Sequence, residues 1–284
     1  MAPVLLPLAE RLGRLELRRR GFASKHVSTP HGLVHAYDAP GTGSLPPAVV
    51  LHGLGSAAIP FAPVLDRLRR DVRRVVAPDF PGHGLSPDAS GPLTPGALVT
   101  TVATAIDALV DEPAIVVGHS LGGAVALRYA LARPERVRAL VLVSPAGAPA
   151  TEAEWRALRD AFDVGSRAEA LAFLRRLYHR TPWFAQLLAH ELPASLERRA
   201  VRDLLASASN DDAPPPEALR ALPMSILLLW GQSERLLPET HFQYFATSLP
   251  EHAVIERPEG FGHCPHADAP AALAARIAEF VRAA

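Results

Sequence analysis

The chain has 284 residues, 49% of them hydrophobic and 20% charged, with 29 Lys plus Arg against 29 Asp plus Glu. This is enough chain for one large α/β domain or two small ones with a sizeable core. The balanced charge leaves no global field to attract a phosphate backbone, so nucleic acid is excluded as an expected partner. Cys264 is the only cysteine, which rules out an intrachain disulfide and makes the cytoplasm the expected compartment.

Residues 1 to 8 carry Pro3 and Pro7 and no basic residue ahead of their short apolar run, the wrong order for a signal peptide. No apolar stretch approaches the ~20 residues that span a bilayer. Over residues 5 to 20, Leu5, Leu8, Leu12 and Leu15 recur at helical spacing near Arg11, Arg14 and Arg18 to Arg20. The first reading is a surface helix docked on the domain, and the second a foot on a membrane surface.

Short β-branched or aliphatic runs then alternate with helical patterns. Strands are expected at Gly32 to Ala39, Ala48 to Leu51, Arg74 to Ala77, Ala114 to Val117, Ala139 to Val143, Ile226 to Trp230 and Ala253 to Glu256. Helices are expected near 60 to 70, 94 to 110, 121 to 133, 239 to 249 and 267 to 282. That alternation predicts a parallel sheet with crossover helices, and several runs are continuously apolar, as in strands covered on both faces. From Pro145 to Pro223 the pattern is helical without a strand. Its apolar residues include Leu171, Phe173, Leu174, Leu177, Tyr178, Trp183, Phe184, Leu187 and Leu188. Most should pack the segment onto the main domain. Leu177, Tyr178, Trp183 and Phe184 are candidates for a pocket wall, because a cover over the carboxyl edge of a parallel sheet sits where ligands bind.

Gly118-His-Ser-Leu-Gly122 follows an expected strand and opens an expected helix, the context that a G-x-S-x-G turn requires. Glycines allow backbone to crowd the serine, and the helix N-terminus favours developing negative charge. The five residues alone also fit a turn without chemistry. A serine hydroxyl needs a base and a group to orient that base. Among twelve histidines, His263 stands out in a Gly-bearing loop between the last expected strand and the last helix. His266 reads as a solvated residue near that helix's start, and a zinc site is not expected, for want of a cluster at ligand spacing. Glu234, four residues beyond Trp230, is the candidate acid. It completes the chain order serine, acid, histidine, whereas Ser144-Pro-Ala-Gly147 has no carboxylate. Asp268 reads as an N-terminal helix residue. Oxyanion donors are expected from the backbone N–H groups of Leu121 and of Leu54 in His52-Gly-Leu-Gly55, and His52 is given no catalytic role.

These residues resemble the α/β-hydrolase superfamily, in its capped, cofactor-free serine branch. The motifs, in family order, are Gly32 to Tyr37, Leu51 to Gly55, Pro78 to Ser86, Gly118 to Gly123, Trp230 to Glu234 and Gly262-His263. The resemblance implies an α/β fold with an eight-stranded, mostly parallel sheet, helices on both faces and a helical cap. It divides the chain into an N-terminal helical extension (1–21), a core (22–144 and 224–284) and a cap (145–223). Hydrolysis through an acyl-enzyme without cofactor or metal is implied, with Asp79 to Ser86 shaping a turn at the site's rim. This branch usually has Asp where Glu234 stands, and the extra methylene demands a shifted backbone. Serine at position 120 excludes the aspartate-nucleophile branches, haloalkane dehalogenases and epoxide hydrolases.

The expected activity is that of a carboxylesterase or small lipase on a small-molecule ester with an apolar acyl group. A carbon–carbon bond hydrolase of ring-cleavage products is the alternative. It needs a cation for a substrate carboxylate, which Arg175, Arg176 or Arg180 could supply. Thioesterase and acyltransferase chemistry share the same acyl-enzyme, and a receptor that kept the fold without turnover is the reading from outside enzymology. Sequence leaves the oligomeric state open.

Overall fold

The computed structural model describes residues 4–284, apart from the side chain of Phe184. Eight strands, β1 (Ala23–Thr29), β2 (Gly32–Pro40), β3 (Ala48–Leu51), β4 (Arg74–Pro78), β5 (Ala114–His119), β6 (Val137–Val143), β7 (Ser225–Leu229) and β8 (Val254–Glu256), form one sheet. Their order is β1-β2-β4-β3-β5-β6-β7-β8, and β2 pairs antiparallel with both of its neighbours while every other pairing is parallel. Strand β1 escapes the sequence reading because Ala-Ser-Lys-His-Val-Ser-Thr is polar and largely exposed. It is an edge strand, held by its antiparallel register with β2 rather than by burial.

Side chains along the central strands alternate between two buried faces. Val49, Leu51, Val116, Leu140, Leu142, Ile226 and Leu228 pack against α3 (Pro95–Leu109), α4 (Leu121–Ala132) and α11 (Glu239–Ser248). Val50, Ile115, Val117, Val141, Leu227 and Leu229 pack against α1 (Leu5–Arg19), α2 (Ala62–Leu68) and α13 (Pro270–Ala283). Both faces are therefore dry, which is why these strands read as continuous apolar runs. The last helical pattern is in fact two helices, α12 (Pro265–Asp268) and α13. Pro270 cannot donate an N–H and forces Ala269 out of helical geometry, with ψ at 61°.

Between β6 and β7 lies the expected helical insertion: α5 (Glu152–Phe162), α6 (Arg167–Leu177), α7 (Trp183–Leu188), α8 (Leu192–Leu196), α9 (Arg199–Ser207) and α10 (Pro216–Arg220). A capping box starts α5, with Thr151 and Glu154 satisfying each other's backbone N–H. The insertion carries its own cluster, including Phe162, Phe173, Leu174, Leu196 and Val201, with Leu236 joining from the core. All the loops that carry candidate site residues leave the carboxyl ends of β3, β5, β7 and β8, so sheet topology alone brings them to one edge.

Candidate active site

Strand β5 ends at His119, and the chain turns at Ser120 into α4. Ser120 has φ 54° and ψ −119°, a conformation that costs a non-glycine residue about 1–3 kcal/mol. Its N–H donates to Val143 O at 3.0 Å, and its carbonyl accepts from Gly123 N, Ala124 N and Ala146 N at 2.8, 3.2 and 2.9 Å. The glycines are dictated by space. A Cβ on Gly118 would lie 2.3 Å from Gly122 O, and one on Gly122 would lie 2.4 Å from Leu51 O. Ser120 Oγ has no protein hydrogen-bond partner among the described residues.

His263 follows β8 and is almost wholly buried. Its Nδ1–H donates to Glu234 Oε2 at 2.8 Å, while Glu234 Oε1 accepts from Leu236 N at 2.8 Å and Leu237 N at 3.1 Å. Burial works against charge on Glu234, but His263 and the two backbone donors outweigh it and hold the carboxyl below its usual range. The glutamate is thus ionised, and Nδ1 of His263 carries the proton that it accepts. Main-chain bonds from Trp230 N to Glu256 O and from Ser233 N to Phe261 O clamp the two loops together. The His263 carbonyl accepts from His119 Nε2 at 2.6 Å, and the two rings lie 4.9 Å apart, so the histidine loop is tied to the residue before Ser120.

The loop after β3 is fixed by two histidines, His52 and His83. His52 donates from Nδ1 to Gly53 O, and its Nε2 accepts from Phe80 N at 2.9 Å. His83 Nε2 accepts from Gly55 N. Asp79 is fully buried and accepts from His35 Nδ1, Ala58 N and Leu85 N, which gives the Pro78 to Ser86 motif a structural purpose. Gly53 lets this loop pass close to the serine, since a Cβ there would sit 3.2 Å from Ser120 Cβ. The N–H groups of Leu54 and Leu121 donate to no partner among the described residues, and both residues border the cavity beside Ser120.

That cavity holds about 400 Å³, within the range of small-molecule sites. Its wall includes Trp155, Leu158 and Phe162 of α5, Leu204 and Leu205 of α9, and Leu236 and Leu237 beside Glu234. Three of the four pocket candidates from sequence lie elsewhere. Leu177 and Tyr178 pack against the insertion's own cluster, Trp183 is exposed, and the side chain of Phe184 lies outside the described residues. The correction has a physical reason: α6 spends its apolar residues on holding the insertion together, and Trp183 of α7 faces solvent. Arg175, Arg176 and Arg180 are also exposed and do not border the cavity, whereas Arg128 of α4 does.

A model of the alpha/beta hydrolase family matches residues 48–276, most of the chain. The chain belongs to that family. It is 35% identical over 242 residues to 2-hydroxymuconate semialdehyde hydrolase of Pseudomonas sp. (strain CF600), covering 78% of this chain and 80% of that one. It is 32% identical over 246 residues to pimeloyl-[acyl-carrier protein] methyl ester esterase of Xanthomonas oryzae pv. oryzae, covering 78% and 91%. The fold resembles carboxylesterase CesB of Bacillus subtilis, with TM-score 0.78, 20% identity and coverage of 99% and 100%.

In this hydrolase two residues differ from their sequence reading. His266 is buried, not solvated, and stacks on Phe61 with ring centroids 3.9 Å apart. Asp268 ends the short α12 and accepts from His179 N and Gly262 N, linking the insertion to the histidine loop. His119, Cys264 and His266 each offer a ligand atom within 4.8 Å of the others, a cluster that sequence spacing hid because His119 comes from β5. Burial holds His119 well below its usual range and His266 down to about 3, and raises the Cys264 thiol, so all three are neutral. Trp155, Leu158 and Phe162 were legible as an i, i+3, i+7 stripe; nothing in the sequence marked Arg128 as a cavity residue.

Proposed function

We propose that this hydrolase cleaves carboxylic esters with an apolar acyl group through an acyl-enzyme on Ser120. The reading rests on one observation above all. A serine held in a strained turn, beside two backbone N–H groups without partners among the described residues, borders an apolar cavity of about 400 Å³. In the proposed cycle, His263 Nε2 takes the Ser120 proton as Oγ attacks the ester carbonyl. The oxyanion accepts hydrogen bonds from Leu54 N–H and Leu121 N–H. Glu234 holds Nδ1–H in place and stabilises the imidazolium. The proton then passes to the leaving alcohol, and His263 activates the water that releases the acid. Residues 145–223 act as the cap, whose α5 and α9 side chains exclude water from the acyl chain. Along α4, Ser120 to Arg128 is a reach of about 12 Å at 1.5 Å per residue, which suits an extended acyl chain.

A second reading, carbon–carbon hydrolysis of a dienolic diketone, is favoured by the similarity to 2-hydroxymuconate semialdehyde hydrolase. Against it, the arginines first considered for a substrate carboxylate are exposed and away from the cavity. A fluorophosphonate probe should label the native enzyme and not Ser120→Ala; labelling of the variant would overturn the nucleophile. A series of p-nitrophenyl esters assayed beside a dienolic diketone separates the two readings. Turnover of the diketone with no ester hydrolysis would replace the first by the second.

A further inference from the structure

Helix α1 is docked with its apolar stripe turned outward. At 100° per residue, Leu5, Leu8, Leu12 and Leu15 fall within about 80° of one another, and Leu6, Gly13 and Leu17 lie roughly opposite. The second set makes the contact. Leu17 is fully buried, and Gly13 lies so close to Ile59 that a Cβ would come within 2.5 Å of its methyl carbon. The leucines remain 41%, 50%, 57% and 42% exposed. Docking is nonetheless specific. The buried carboxylate of Glu191 accepts from Val4 N, Leu5 N and Leu6 N at 2.7, 2.7 and 2.6 Å, capping the helix and pinning it beside α7. On α7, Trp183 and Leu187 are 72% and 57% exposed. Of the ten exposed large apolar side chains among the described residues, five belong to α1 and its flanking Val4, so half of this exposure falls on one short segment.

Charge indicates what covers this surface. Arg14 pairs with Glu10, and Arg20 with Glu16 and Asp66, but Arg11, Arg18 and Arg19 have no ion pair among the described residues. Arg11 and Arg18 lie along one edge of the leucine stripe and Arg19 continues it. Their long aliphatic stems can lie along the apolar face while the guanidinium groups reach outward. Exposed leucines bordered by unneutralised arginines match the boundary of an anionic bilayer, where apolar side chains enter the acyl region and cations meet lipid phosphates. We infer that α1 docks this enzyme peripherally on an anionic lipid surface. No helix among the described residues is long and apolar enough to cross a membrane, so the contact lies in the interface plane.

The test is co-sedimentation of the full chain with phosphatidylcholine vesicles containing phosphatidylglycerol, compared with pure phosphatidylcholine. Binding should be strong only on the anionic vesicles and fall in molar salt. Leu8→Ser/Leu12→Ser should weaken it about thirtyfold, because each half-exposed leucine loses its apolar burial. Arg11→Gln/Arg18→Gln/Arg19→Gln, which leaves the stripe intact, should weaken it about fivefold per arginine. Both variants should keep the native melting temperature and native turnover of a soluble ester, so a failure of the ester reading does not bear on this result. The inference is overturned if native protein sediments with neither vesicle or if both variants bind like the native chain. It is equally overturned if the protein is a dimer in solution that Leu8→Ser/Leu12→Ser dissociates, since a second copy then covers the face.

Discussion

Replacing Glu234 by glutamine removes a charge while nearly keeping a shape, and the hydrogen bonds around it fix what must follow. Oε1 accepts from two main-chain N–H groups and Oε2 from His263 Nδ1. Glutamine offers one oxygen and one NH2 group. The Leu236 and Leu237 N–H groups demand the oxygen, because leaving a buried donor unpaired costs about 1–3 kcal/mol. The NH2 then faces His263, and two donors cannot face each other. Nδ1 must surrender its proton and Nε2 must carry it, so in the proposed cycle the imidazole can no longer receive the Ser120 proton. A triad locked in the wrong tautomer loses about 10⁴-fold in kcat, equivalent to about 5.5 kcal/mol of barrier. The assay is kcat on a p-nitrophenyl ester, with circular dichroism to check the fold. Glu234→Asp keeps the charge and withdraws it by one methylene, and a misplacement of that size should cost about 10²-fold. A folded Glu234→Gln enzyme within tenfold of native kcat would refute the assigned role of this carboxylate.

Acid should unfold the protein early. Burial holds His52 and His119 below their usual range and His83 and His266 down to about 3. Their unfolded pKa is about 6.5, so the unfolded chain takes up protons that the folded chain refuses. Stability is full above that pH and declines below it, by about 1.4 kcal/mol per pH unit for each histidine. Urea midpoints that stay level from pH 7.5 to 5 would contradict this. Gly122→Ala should cost about 1–3 kcal/mol and lower activity, because its methyl group would meet the main-chain oxygens of Leu51 and His52 at 2.4 and 2.6 Å. An unchanged melting temperature would show that this contact relaxes freely.

Much of the candidate site was legible because its parts are local. Gly118 to Gly122 announces its turn through steric necessity, and the loop after β3 does so through its glycines. Strands β3 to β7 announce themselves through continuous apolar runs, since both sheet faces are covered. Glu234 was readable from its position after β7. That its longer side chain reaches His263 Nδ1 while also receiving two N–H groups depends on how the β7 and β8 loops are clamped.

Other features follow from packing between distant segments and have no local mark. His266 looked solvated because its short helix is polar in sequence, yet Phe61, from another loop, closes over it. The cavity wall came from α5 and α9 rather than α6 and α7, because an apolar residue does not announce which neighbour will consume it. The same holds for α1. Periodicity determines that Leu5, Leu8, Leu12 and Leu15 share a face. Only the tertiary structure, through Leu17, Gly13 and the Glu191 cap, decides that this face points away from the protein.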